Sequence, residues 1–285
     1  MRLFNNSEKT AMYYPVDPRG NRLTVGLRTL DLQNWFEFDE HFASEISVKR
    51  QLDESGAEVF GQLPEGELGV VEFLELASEN LKEFHADKNQ AFNSLLEFSK
   101  VVQEDICIMT PIDGSWVLTA AVLYAPSRWR LFDKLGKSLD GIHKPVPGYQ
   151  EQIGNAVEFS FDRLTPERSV WRANWTLLDD ATRFQPTPPS AENQLKIEGA
   201  DLNEQVFFRV ERQTLRKMPK TGDIAFTIRT YVTPLGELLK TIESPQKMLE
   251  ALKSMEPDHV SYKGWNTLKP ALISHLERDI SGSSL

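Results

Sequence analysis

The chain has a single cysteine, Cys107, among 285 residues. One cysteine makes no intramolecular disulfide, no four-cysteine zinc site and no four-cysteine iron–sulfur cluster. It also leaves no Cys-x-x-Cys-His, so a heme in this protein would be held without covalent attachment. No apolar run approaches the roughly 20 residues of a membrane-spanning helix. Met1 to Thr10 is polar and lacks the apolar core of a signal peptide. Basic charge is short as well: 32 Lys+Arg against 42 Asp+Glu gives a net charge of −10. An acidic protein is repelled by phosphate backbones, which disfavours nucleic acid as a partner. These absences together point to a protein of a reducing cytoplasm, away from membrane and nucleic acid.

Familiar catalytic signatures are missing too. The sequence has no Gly-x-Gly-x-x-Gly, no Walker A lysine loop, no Gly-x-Ser-x-Gly elbow and no His-Glu-x-x-His helix. A nucleotide-binding role therefore falls most simply to another protein.

What is present reads as an α+β chain. Residues 1–100 are mainly helical, with Val70, Phe73, Leu74, Ala77, Leu81 and Phe84 at helical spacing. Residues 101–235 switch to strand period. Asp105 to Thr110 and Trp116 to Tyr124 flank an Asp113-Gly114 hairpin signal. A helical excursion from Trp129 to Ile142 is stopped by Pro145 and Pro147, and Gln150 to Leu164 reads as a further helix. Val170 to Leu178 is a strand, and Phe184 to Glu198 is a Pro-rich loop. Gln205 to Met218 and Ile224 to Val232 alternate strictly, and Pro219-Lys220-Thr221-Gly222 joins them in a long hairpin. Residues 236–285 return to helices. Ser244 caps one that carries Met248, Leu249, Leu252 and Met255, and a last one carries Leu272, Ile273, Leu276 and Ile280. The expectation is a five-stranded antiparallel sheet flanked by N- and C-terminal helices, forming one unit over residues 1–285.

Several side chains stand out chemically. His143 lies in Gly141-Ile142-His143-Lys144-Pro145-Val146-Pro147-Gly148, where two prolines stiffen the backbone. A neutral imidazole offered from such a turn suits iron or zinc, the alternative being a loop histidine bonded locally. Arg128 and Arg130 flank Trp129. Arg212 and Arg216 share a strand face because they are an even number apart, and Arg229 lies on the partner strand. Clustered arginines need counter-anions: either a ligand carboxylate or phosphate, or local acids such as Glu211 and Asp223. Cys107 reads as a small buried hydrophobe, with a thiolate iron ligand as the alternative. Tyr124 and Tyr231 are core aromatics or pocket walls.

Nine segments occur in an order that resembles a known family. They are Gly26-Leu27-Arg28, Val102-Gln103-Glu104-Asp105, Pro126-Ser127-Arg128-Trp129, Lys134-Leu135-Gly136, Ile142 to Gly148, Arg172-Ala173-Asn174-Trp175, Phe184-Gln185-Pro186, Glu211 to Arg216, and Phe226 to Tyr231. The set is similar to the bacterial heme-dependent oxidative N-demethylases, from about Thr24 to about Arg278. The resemblance implies a PAS-like form of the five-stranded sheet and a heme b (iron) cofactor. It implies a monooxygenase that uses O2 to oxidise an N-methyl carbon of a secondary amine such as dimethylamine. The carbinolamine so formed falls apart to formaldehyde and the shorter amine. Electrons would come from NADPH through separate flavin and iron–sulfur subunits. By motif, His143 is the expected axial ligand, and Arg128, Arg212, Arg216 and Arg229 are the expected partners of the heme propionates. Tyr231 and Glu211 are expected on the distal side. The competing expectation is a non-catalytic PAS-like sensor or binding protein for heme or another small ligand.

Overall fold

The computed structural model of the protein describes residues 2–4, 11–18, 25–88, 90–188, 196–197, 199–242 and 245–282. The expected cap Ser244 lies outside the described residues. The strands are β1 (Arg2–Phe4), β2 (Ala11–Tyr13), β3 (Arg28–Thr29), β4 (Phe60–Gln62), β5 (Asp105–Ile112), β6 (Ser115–Val122), β7 (Val170–Leu178), β8 (Phe207–Lys217) and β9 (Ile224–Pro234). Ten α-helices are found among the described residues: α1 (Phe42–Glu54), α2 (Glu67–Phe84), α3 (Leu95–Phe98), α4 (Leu139–His143), α5 (Asn155–Asp162), α6 (Leu202–Gln205), α7 (Leu235–Thr241), α8 (Pro245–Ser254), α9 (Pro257–Tyr262) and α10 (Leu268–Gly282).

The α+β class holds, but the expected five-stranded PAS-like sheet does not. The main sheet has seven antiparallel strands in the order β3-β7-β8-β9-β5-β6-β4. The five strands legible in the sequence form its middle. The other two, β3 and β4, have 2 and 3 residues, too few for an alternation to show. Each caps one edge: Arg28 and Thr29 pair with Trp171 and Val170, and Phe60 to Gln62 pair with Val122 to Ala120. Residues 150–164, expected as one helix, begin as a π-turn over Gln150–Gly154 and continue as α5.

Both faces of the sheet are covered, by different parts of the chain. On one face, α2 and α3 bury Val70, Phe73, Leu81 and Phe98 against Ile106, Ile108, Ala120 and Val122. On the other, the segment 131–164 packs Leu139, Tyr149, Val157 and Phe161 against Cys107, Met109 and Leu215. A third cluster forms where α7, α8 and α10 close over Leu177, Phe208 and Val210. The helix α2 sits close to the sheet because position 69 is glycine. A Cβ there would lie 2.0 Å from Asp223 Oδ2 and 2.9 Å from Ile108 Cγ2. Gly69→Ala is expected to destabilise the protein by about 1–3 kcal/mol through overpacking, despite the ~1 kcal/mol that alanine favours in a free helix. A lowered urea midpoint at unchanged m checks this.

The α1/α2 side also buries a charge network. Arg229, 1% exposed, donates to Asp39 at 2.6 Å and to both oxygens of Glu45 at 3.1 Å. Arg212, 2% exposed, contacts Glu37 at 3.4 Å and donates to the carbonyls of Asn34 and Trp35. Tyr231 and Tyr13 both donate to Glu37, at 2.5 and 2.6 Å. Lys49 gives its ammonium to the carbonyls of Ser99, Val102 and Glu104 at 3.1, 2.9 and 3.0 Å. Within this network Glu104 has one oxygen bonded by the Glu37 N–H at 2.9 Å and the other buried without a partner.

Burial raises the Glu104 carboxyl to about 7. The unfolded chain holds that proton only below about 4.5. Folding therefore takes up a proton between these values, and this carboxyl's contribution to stability declines as pH rises from about 4.5 to about 7. Glu104→Gln removes that slope, so denaturant midpoints across this window are expected to vary less with pH than those of the wild type.

Candidate functional site

A cavity of about 750 Å³ opens on the sheet face covered by the 131–164 segment. It falls within the range of roughly 300–1,000 Å³ that holds drug-sized ligands and cofactors. Strand period decides what looks into it. On β8 the odd positions Arg209, Glu211, Gln213 and Leu215 line the cavity, and on β9 Phe226 and Ile228 do. The register pairs Gln213 with Ile228 and Leu215 with Phe226, so these share a face. On β7 the cavity takes Arg172 and Asn174, which pair with Gln213 and Glu211. Apolar walls come from Val25, Leu27, Met109, Val157 and Leu164, and Tyr262 to Trp265 close one side.

His143 lines this cavity. The helix α4 that ends on it is capped by Ser138, whose hydroxyl accepts from the Gly141 N–H. Nδ1 lies 2.8 Å from the Leu139 carbonyl oxygen. A carbonyl only accepts, so Nδ1 carries the hydrogen and Nε2 keeps its lone pair. Nε2 makes no hydrogen bond among the described residues. The ring is stacked on Tyr149, 4.4 Å between centroids and 10° from parallel. Burial pushes the imidazole down to about 4, so it is neutral at pH 7. The local bond and the metal-competent nitrogen thus coexist on one ring.

The sequence-derived candidates divide between the two faces. His143, Arg128 and Glu211 line the cavity. Arg212, Arg216, Arg229 and Tyr231 do not. Arg212 and Arg229 are register partners, as are Val210 and Tyr231, which puts these residues on the opposite face. Their counter-charges are carboxylates, but distant ones from residues 37–45 rather than Glu211 or Asp223. Arg216 stacks over Trp35 at 4.5 Å. Arg128 adopts a left-handed backbone, φ 62°, and its guanidinium meets Asp179 at 2.5 Å. Such strain in a non-glycine residue is characteristic of functional sites. Cys107 also touches the cavity, but burial pushes its thiol up to about 12, which keeps it protonated.

Lys134, Arg172 and Lys263 are among the cavity residues that were not singled out from the sequence. Burial lowers the pKa of each, the two lysines to about 8, while Glu211 opposes the shift in all three. Lys134 and Arg172 fall inside segments that carried the family resemblance, so their positions were visible without their role. Lys263 follows α9 and belongs to no pattern.

Fold and site define an α+β protein with a partly open, cation-lined cavity and one neutral histidine on its wall. Residues 26–273 match the family described as "Haem-dependent oxidative N-demethylase, alpha subunit-like". The chain belongs to that family, whose description is that of one subunit of a larger assembly. No helix among the described residues is long and apolar enough to cross a membrane. No cluster of three or more His, Cys, Asp or Glu side chains among them is arranged to hold a metal ion. An iron bound here by protein would therefore have one ligand from His143 and need the rest from its own macrocycle. The cavity fits such a group in volume, in the open Nε2, and in the buried Nε of Arg172, which has no hydrogen-bond partner among the described residues.

Proposed function

We propose that this chain is the heme-binding catalytic subunit of an oxidative N-demethylase. The observation that carries the reading is His143: neutral, orientated through Nδ1, and presenting Nε2 in a cavity of cofactor size. The heme would be heme b, held by His143 without covalent attachment, and it supplies the O2-activating chemistry. The protein's own residues bind, orient and desolvate. Leu139 and Tyr149 hold the imidazole plane. Val25, Leu27 and Ile228 line the cavity with apolar surface and would exclude water from a bound amine. Glu211 accepts only long hydrogen bonds, 3.3 Å from Arg209 and 3.4 Å from Gln213, so its oxygens retain capacity for a cation. That makes it the group to hold the ammonium proton of a secondary methylamine such as dimethylamine. Arg128, expected at a heme propionate, lines the cavity on this face but already carries Asp179 as its counter-ion. Arg212, Arg229 and Tyr231 meet Glu37, Asp39 and Glu45 across the sheet and Arg216 stacks over Trp35, so these four take a structural part in this reading.

Electrons would come from NADPH through partner flavin and iron–sulfur subunits in the cytoplasm. The absence from the sequence of a nucleotide motif and of cluster cysteines supports that division of labour. The test is turnover. Heme-loaded protein with NADPH, a reductase and dimethylamine should release formaldehyde and methylamine, and Glu211→Gln should raise KM for the amine. Heme bound with no formaldehyde from any secondary methylamine would favour a sensor.

A further inference from the structure

The charges lining the cavity do not balance. Among the described residues, five of the strong cations line it, and two carboxylates, Asp179 and Glu211. Asp179 is taken by Arg128 at 2.5 Å, and Glu211 faces Arg209 at 3.3 Å. Arg209 also donates to the Ala125 and Arg183 carbonyls. Arg172, Lys134 and Lys263 are left over. The Arg172 side chain makes no hydrogen bond or ion pair among the described residues, and its Nε is buried. Lys134 has the face of Trp129 at 4.1 Å. Lys263 has the face of Trp265 at 5.1 Å and a 3.5 Å contact with the Trp175 carbonyl. A partly buried guanidinium or ammonium without a counter-ion is unfavourable unless an anion joins it. The three cations come from different elements: the turn after residues 131–133, strand β7, and the turn after α9.

We infer that Arg172, Lys263 and Lys134 form the anion site of the cavity, and that they select a ligand carrying carboxylates on an apolar body. On the function proposed above, that ligand is a porphyrin with its two propionates, and these three residues rather than the arginines across the sheet receive them. Arg172 is the strongest contributor because its planar fork bonds a carboxylate bidentately.

The test uses apo protein and metal-free porphyrin, so that His143 ligation plays no part. Quenching of tryptophan fluorescence reads binding of protoporphyrin IX, a diacid, against its dimethyl ester. Wild type should bind the diacid at least about tenfold more tightly than the ester, as expected for one charge-assisted contact. Arg172→Met and Lys263→Met should each weaken the diacid by about that factor and leave the ester unchanged, with thermal melts showing that both variants fold. Variants that hold the diacid as wild type does would overturn the inference and leave the heme proposal standing. If wild type binds neither metal-free porphyrin, a Soret titration with hemin decides the heme proposal separately, and anilinonaphthalene sulfonate against neutral N-phenylnaphthylamine takes the porphyrins' place for the anion site. Anion preference lost in both variants would then support the site, and no preference would remove it.

Discussion

His143→Ala is expected to change the Soret band and spin state of the heme-loaded protein and to weaken heme binding. The weakening should exceed the about 10–100-fold that follows loss of a group that merely orients a metal ligand. The reason is local. The Leu139 carbonyl fixes the hydrogen on Nδ1, Tyr149 fixes the plane of the ring, and burial holds the imidazole neutral, so Nε2 is ready as a ligand without rearrangement. Alanine leaves a gap of imidazole shape beneath Tyr149. Added imidazole should therefore restore much of the wild-type spectrum. A variant that keeps the same Soret position and spin state would show that the iron is held elsewhere.

The second large effect concerns an arginine on the opposite face. Arg229→Met leaves Asp39 and Glu45 buried with their main counter-charge gone. Removing one partner of a buried ion pair typically destabilises by roughly 3–5 kcal/mol. At about 2–4 °C per kcal/mol for a chain of this order of size, thermal melting should show Tm lower by roughly 6–20 °C. Arg183, which also reaches Glu45 at 2.9 Å, moderates the loss. Adding Glu45→Gln should recover part of it. The folded fraction should bind heme with an unaltered spectrum. A small change in Tm together with loss of heme would place Arg229 in the cofactor site instead.

The contrast between these two residues shows what the sequence reveals and where it stops. The hairpin β8–β9 is legible because its apolar positions alternate over eleven residues on each strand. Alternation states which residues share a face. It does not state which face looks into the cavity, because both faces of this sheet are covered. Arg212, Arg216 and Arg229 were grouped correctly with one another on that basis, yet they lie across the sheet from His143. Arg209 and Arg172, one face away, carry no distinguishing local signal. His143 was legible because two prolines follow it, but the structure places it at the end of helix α4 rather than in the turn, and from there it lines the cavity. Lys263 was not, since what makes it notable is the lack of a carboxylate partner among the described residues, which only packing reveals. The edge strands β3 and β4 escaped for a simpler reason: 2 or 3 residues hold no period.

The central claim is that the cavity on the His143 face is the heme site. A crystal structure of the heme-loaded chain tests it most directly. The account predicts iron bonded to His143 Nε2, with the macrocycle between the 131–164 segment and the odd-numbered residues of β8, and propionates reaching Arg172 and Lys263. Heme on the Arg212–Arg229 face, or bonded through any residue other than His143, would contradict it.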